Sequence, residues 1–376
     1  MKFKKIHKTV EKKTINFKGL KTLKVKSSPT VVATTTTTIK PKKAFKKETA
    51  EEYRWHLYKH GFTKSCLNTF SECPYKFKLK YCDGVESKYA NTDYLDFGNI
   101  FHELKEKLLT VVLKSDKILS IEELQSLNKQ FSKAIEEKYK EYYSSEKMVD
   151  ISEDSNYQLM LGMAEVTLHH YIKHYYNTDF SKYEWLSLEE EFRVKMELAC
   201  GSSLLRGKWD GRLNIKNKVW LSETKTKGII NEDKITSVLA VDPQSMLYAL
   251  AHYKRYGEYP RGIIYDVVRR CQLKIGKQTI VEFLNRISKD IESRPEFYFV
   301  RWHCILEPND IQNWVADFEV FLLHFEETFH RRTYYKNYNS CSGKFGQPCE
   351  YIKLCTNDDR SFLQKRDKVF SELELI

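Results

Sequence analysis

The sequence predicts an α/β protein, because its apolar periodicity switches near residue 182. Before that point apolar residues recur at helical spacing; after it come runs with strand-like patterning, bounded by turns. Three of these, 185–195 (WLSLEEEFRVK), 203–215 (SLLRGKWDGRLNI) and 218–224 (KVWLSET), read as short strands. A helical stretch at 244–256 follows, then a further strand at 261–268 (RGIIYDVV). Strands that alternate with helices point to an α/β centre.

The flanking elements follow in order. Within 97–113, Ile100, Leu104, Leu108 and Val111 fall at near-helical spacing, and 161–175 is similar, so 51–180 reads as mostly helical. The last third returns to helices near 276–292 and 308–329, then ends in a loop carrying cysteines. Residues 1–50 combine Lys-rich runs, a threonine tract at 34–38, Pro29 and Pro41, with no sustained apolar period, and read as disordered. The expected organisation is a basic tail (1–50) and one domain (51–376). That domain divides into a helical part (51–180), an α/β core (181–300) and a helical, Cys-containing end (301–376).

Composition narrows the function classes. With 41% hydrophobic residues, the 376-residue chain can bury a large core. No apolar run reaches the about 18 residues of a membrane span. The N-terminus lacks the apolar stretch of a secretory signal, so a cytoplasmic compartment is expected. In a reducing compartment, nine cysteines are buried thiols or metal ligands rather than a disulfide framework. The formal charge of +12 resembles a nucleic-acid signature, but its location decides its meaning. Residues 1–50 hold fifteen lysines against Glu11 and Glu48, a balance of +13, which leaves −1 for the rest. Overall basicity is therefore weak ground for DNA binding by the folded body. The tail is either a solvated extension or a polybasic arm that gains affinity by releasing counterions from phosphates. It contains no arginine, which argues against a mitochondrial transit peptide.

The chemistry is concentrated in Gly207-Lys208-Trp209-Asp210 and, one strand–turn–strand later, in Glu223-Thr224-Lys225. Phosphodiester hydrolysis needs divalent cations held by carboxylates, so that a bound water becomes a nucleophile and developing charge is neutralised. A nearby lysine can orient that water or stabilise the charge. Side chains repeat every second residue along a strand, so Glu223 and Lys225 share a face. Asp210, expected near the end of the preceding strand, reaches the same point from next door. An E-x-K triplet alone carries little information, since an exposed ion pair looks the same. The order of further motifs gives it weight.

Five motifs occur in sequence. They are 65–77 (SCLNTFSECPYKF), 98–103 (GNIFHE), Gly207 to Asp210, Glu223-Thr224-Lys225-Thr226, and 244–248 (QSMLY). In this order they resemble the RecB-like, Cas4-like branch of the PD-(D/E)XK nucleases: S-x-x-x-x-F-x-x-C-P, G-x-x-x-H, G-x-x-D, D-x-K-T and Q-x-x-x-Y. The match spans 65–355. The resemblance implies a restriction-endonuclease-like fold, a central mixed sheet flanked by helices. It also implies a metal-dependent DNA nuclease, an exonuclease on single strands or duplex ends in recombination, repair or replication. On that resemblance, His102, Asp210, Glu223 and the Thr224 carbonyl would hold Mg²⁺ or Mn²⁺, and Lys225 would position the attacking water. Gln244 and Tyr248, one turn apart on a helix, would contact DNA and support the site. Two departures stand out: Glu223 replaces the commoner Asp, and Lys208-Trp209 occupies positions usually small or apolar.

The resemblance also bears on the cysteines. Iron–sulfur members of the family ligate a 4Fe–4S cluster with one cysteine from the N-terminal helix and three near the C-terminus. Cys73, followed by Pro74, matches the first, and Cys341, Cys349 and Cys355 match the trio. Here seven residues, including Gly343 and Gly346, separate the first pair, where two are common. Zn²⁺ on the same thiolates, three reduced thiols, and Cys66 in place of Cys73 are the competing readings. Cys82, Cys200, Cys271 and Cys304 have no partner at suggestive spacing and read as core or surface thiols.

Arg269, Arg270, Arg294 and Arg301 could line a DNA groove with Tyr298, Phe299 and Trp302 stacking on bases, or could face solvent over an aromatic core. The chain has no G-x-x-x-x-G-K-S/T loop, so any coupling to unwinding needs a helicase partner. Two other classes compete with a nuclease: a non-catalytic DNA-binding accessory factor, and a structural iron–sulfur protein whose E-x-K is coincidental.

Overall fold

The computed structural model describes residues 54–88, 97–146, 151–342, 348–370 and 373. The expected tail at 1–50 lies outside the described residues, as do Gly343 and Gly346. Three short helices come first: α1 (Leu57–His60), α2 (Lys64–Glu72) and α3 (Pro74–Phe77). Helix α2 starts where the Thr63 side chain accepts from the Cys66 N–H, a donor that has no partner inside the helix. Pro74 opens α3, where its missing N–H costs nothing. Strand β1 (Val85–Ser87) and three long helices follow: α4 (Phe97–Lys114), α5 (Ile121–Glu146) and α6 (Ile151–Tyr175). Next come β2 (Glu184–Leu198), β3 (Gly201–Ile215), β4 (Lys218–Lys227), α7 (Glu232–Leu239), α8 (Pro243–Tyr256) and β5 (Gly262–Arg269). The remaining elements are α9 (Ile280–Ser293), α10 (Pro295–Tyr298), β6 (Phe299–Ile305), α11 (Pro308–Arg331), α12 (Ile352–Asn357) and β7 (Leu363–Lys365).

Five strands form one sheet in the order β2-β3-β4-β5-β6. Only β4 and β5 pair in parallel, and α7 with α8 supplies the crossover that a parallel pair requires. The sheet is mixed and flanked by helices, the α/β arrangement the sequence predicts. Strand β5 shows how it divides the interior. Ile263, Tyr265 and Val267 enter one core with Leu247 and Phe325, while Ile264 and Val268 enter a second with Leu104, Tyr171 and Ile287. The first core gathers α2, α8 and α11; the second gathers α4, α6 and α9.

The hairpin of β2 and β3 departs from expectation: each strand has 15 residues. Its length was hidden because β2 is an edge strand whose polar residues, Glu189 to Glu191 and later Lys195 and Glu197, interrupt the apolar pattern. Asp210 sits five residues before the Ile215 end of β3, inside the strand rather than near its end. Trp209, one of the unusual residues of that motif, is fully buried between Phe192 and His252. Gly207 makes room for this: a Cβ there would lie 2.5 Å from the Phe192 ring. The two ends of the domain meet where β1 pairs with β7 over a small core of Leu79, Tyr351, Leu354 and Phe362. Among the described residues, no helix is long and apolar enough to cross a membrane.

Candidate active site

Two strands and two helices bring the motif residues together. Glu223 and Lys225, two apart on β4, form an ion pair. Asp210 lies one step beyond the Gly211–Ser222 pair of the β3–β4 ladder, so it stands beside Glu223. Its Oδ2 accepts the Thr224 N–H at 2.7 Å. Helix α4 places His102 Nδ1 at 3.8 Å from the same oxygen, beyond hydrogen-bond range. Gln244, next to the Pro243 start of α8, ties the pair together. Its Nε2 donates to Glu223 Oε1 at 2.7 Å, and its Oε1 accepts from Lys225 Nζ at 3.2 Å. Tyr248, one turn on, packs edge-to-face on Phe192 at 5.6 Å, and its carbonyl accepts from Trp209 Nε1.

The electrostatics of this centre are those of crowded carboxylates in a poorly solvated place. Burial first, then the Asp210 charge, pushes Glu223 up to about 7, against the pull of Lys225. Burial lowers Lys225, but Glu223 and Asp210 outweigh it and hold the ammonium protonated. Burial lowers His102 more than Asp210 raises it, so its ring is neutral near pH 7 with a lone pair available. Glu223 is 4% exposed, and its Oε2 has no hydrogen-bond partner. A buried, donorless carboxylate oxygen is costly, and a cation satisfies it. Oxygen and imidazole donors of this kind fit a divalent metal in their chemistry, although the trio gathered within 4.8 Å is His102, Asp210 and Glu189, with Glu223 outside it.

Two functional-looking residues escaped sequence reasoning. Glu189 lies opposite Asp210, between the Leu188–Gly211 and Glu190–Trp209 pairs of the ladder, with φ 45°. A non-glycine residue in that region is strained, and here the strain turns Glu189 into the site. His102, Glu189 and Asp210 offer ligand atoms within 4.8 Å of one another. Burial and Asp210 push Glu189 up to about 8, although Lys208 lies 2.6 Å away. That ion pair also accounts for Lys208, the second unusual motif residue. In a run of three glutamates, only the unusual backbone angle at Glu189 singles it out, and sequence does not show it. The other missed residue is Lys105, one turn beyond His102 and 5% exposed. It donates to Thr224 Oγ1 at 2.8 Å and lies 3.5 Å from Asp266. Asp266 and Asp179 in turn bind Arg301, with the Tyr171 hydroxyl within hydrogen-bond distance of both carboxylates.

This network corrects the groove reading of the arginines. Arg301 is buried against two aspartates, Arg294 pairs with Asp290 at 2.8 Å, and Tyr298 and Phe299 lie in the core. Arg269 covers Phe297, leaving Arg270 exposed.

The four cysteines also converge. Cys73, Cys341, Cys349 and Cys355 line one cleft with Tyr75, Lys76 and Tyr351. The Asn337 N–H reaches Cys73 Sγ at 3.3 Å, and the Cys349 N–H donates to the Cys341 carbonyl at 2.9 Å. No three of the sulfurs fall within 4.8 Å of one another. A tetrahedral Zn²⁺ site with about 2.3 Å bonds needs them closer than that, whereas a cluster spreads its ligands more widely. Cys66 is fully buried in the first apolar core, which removes it as a substitute for Cys73.

A search of curated proteins finds no match. Among solved structures, one titled "Crystal structure of SSO0001" is 13% identical, with 67% of this chain and 96% of that chain covered, at a TM-score of 0.27. An overlap so loose leaves the assignment to the sheet and to a family model. The model for the PD-(D/E)XK nuclease superfamily matches residues 62–356, the stretch that contains His102, Asp210, Glu223 and Lys225. The chain belongs to the PD-(D/E)XK nuclease superfamily.

Proposed function

We propose that this protein is a metal-dependent DNA nuclease whose Mg²⁺ or Mn²⁺ is held by His102, Asp210, Glu223 and the Thr224 carbonyl. The observation that carries the reading is the buried, partnerless Glu223 Oε2 beside Asp210. The neutral imidazole of His102 adds a nitrogen donor, which favours Mn²⁺ alongside Mg²⁺. A cation bound there supplies Lewis-acid stabilisation of phosphoryl oxygens and acidifies its water. The chain's own residues do the rest. Lys225, kept protonated and aimed by Glu223 and Gln244, orients the attacking water and meets developing negative charge. Gln244 and Tyr248 hold that pair in place and present the face that meets DNA. Beside Gln244 a groove of about 670 Å³, open mouth included, is lined by Lys64, Asn68, Leu247, Trp314 and Phe321. Asp317 also lines it and balances Lys64 in charge, so it is the aromatic rings that suit an unstacked single strand.

The RecB-like and Cas4-like resemblance extends the proposal to an exonuclease on single-stranded DNA or duplex ends, working with a helicase or recombination partner. It also extends it to a 4Fe–4S cluster on Cys73, Cys341, Cys349 and Cys355, which staples the first helices to the C-terminal loop. Digestion of end-labelled single-stranded and duplex DNA with Mg²⁺ or Mn²⁺ tests the activity. Asp210→Ala and Lys225→Ala are each expected to lose roughly 10²–10³ in rate while still binding DNA. Cleavage that survives both substitutions sinks the site. Iron content and visible absorption of anaerobically purified protein test the cluster, and Cys73→Ser is expected to abolish both.

A further inference from the structure

Outside the acidic centre a second group of unlike donors is gathered. Glu326 and His330 lie four apart on α11 and so share one face of it. Cys200 occupies the two-residue turn between β2 and β3 and is exposed. A sulfur, a carboxylate oxygen and an imidazole nitrogen from these three residues lie within 4.8 Å of one another.

The supports around them are complete. Glu326 is 2% exposed. Its Oε1 accepts from the Tyr58 hydroxyl at 2.5 Å and the Cys200 N–H at 3.0 Å, and its Oε2 accepts the Ala199 N–H at 2.9 Å. A carboxylate has about four acceptor positions, so one on Oε2 stays open. The Tyr58 hydroxyl also meets His330 Nε2 at 2.7 Å, so one phenol orients both helix residues. Hydrogen bonds of this kind fix the direction of metal ligands.

We propose that Cys200, Glu326 and His330 form a zinc site. Mixed thiolate, imidazole and carboxylate donors are a zinc set, and the thiolate disfavours Mg²⁺, which takes oxygen ligands. Three protein ligands leave a fourth position for water. The exposed thiol provides the entry path, and the helical pair provides a chelate that needs no rearrangement of α11. A bound ion would lock the β2–β3 turn to α11 through the same carboxylate that already caps the turn. This site shares no residue with the four-cysteine cleft or with the acidic centre.

Alkylation of the full chain by iodoacetamide, mapped peptide by peptide, tests the site without interference from other metals. Free Zn²⁺ about ten times above the dissociation constant is expected to slow modification of Cys200 about tenfold, by mass action. Mg²⁺ leaves the rate unchanged. In His330→Asn, with folding checked by its melting temperature without zinc, Cys200 is expected to react equally fast with and without zinc. Equal Cys200 rates with and without zinc in the wild type overturn the proposal. Undiminished protection in His330→Asn overturns it as well.

Discussion

Replacing Glu223 by Gln removes a charge that the metal-free fold holds unwillingly, and its effect on stability should reverse the usual cost of an active-site change. The Glu223 carboxyl is raised from 4.5 to about 7. A raised acid favours the fold in its neutral form. That contribution is intact below the unfolded value of 4.5 and is lost as pH climbs through about 7. Between pH 5 and pH 8 the metal-free wild type therefore loses about 2 to 3 kcal/mol that Glu223→Gln does not lose. Other titrating groups are common to both proteins and largely cancel in the comparison. In a unit of this size the gap is worth about 3 to 4 °C of melting temperature. The assay is thermal unfolding of both proteins in chelator at pH 5 and pH 8. The expected result is a melting-temperature difference that moves in favour of Glu223→Gln by that amount as pH rises. Adding Mn²⁺ at pH 8 should then stabilise the wild type and leave Glu223→Gln nearly unmoved. A difference between the two proteins that is the same at both pH values refutes the assignment of strain to the buried carboxylate.

Arg301→Leu strands Asp179 and Asp266 in the interior, and breaking a buried network this way is expected to cost about 3–5 kcal/mol, read by denaturant unfolding. Gly207→Ala places a methyl group 2.5 Å from the Phe192 ring, and overpacking there should destabilise by about 1–3 kcal/mol in the same measurement. Glu189→Gln should weaken Mn²⁺ binding, followed by calorimetry, about 10–100-fold if Glu189 shapes the metal position as His102 and Asp210 do.

What could be read from the chain, and what could not, divides along physical lines. The E-x-K face and the helix carrying Gln244 and Tyr248 follow from period-2 and period-3.6 geometry, which operate between near neighbours. The convergence of Cys73 with cysteines more than 260 positions later followed only from resemblance, since spacing cannot say how a chain returns on itself. Glu189 was illegible because its role depends on a single positive φ in a run of three glutamates. Arg301 was misread for a related reason. Its partners Asp179 and Asp266 come from the segment after α6 and from β5, so nothing local distinguishes it from a groove arginine. Cys200 looked solitary because Glu326 and His330 meet it only through the packing of α11 against the hairpin.

Two charged groups meet at Thr224 and differ in one respect. On the side of α6, Lys105 and Arg301 face Asp179 and Asp266, two cations against two anions, and every member is hydrogen-bonded or paired. That group is closed: it holds Thr224 and α4 in position and asks for nothing further. At the acidic centre, Lys208 pairs with Glu189 and Lys225 with Glu223, but Asp210 is left with a backbone N–H and a neutral His102. Three carboxylates meet two lysines, and the surplus negative charge falls where Glu223 Oε2 lacks a donor. A cation beside Glu223 would offset that surplus and partner the oxygen that lacks a donor. The acidic centre is thus left one positive charge short while the network behind it is balanced, which is why Arg301→Leu should disturb folding and Glu223→Gln should disturb cation binding.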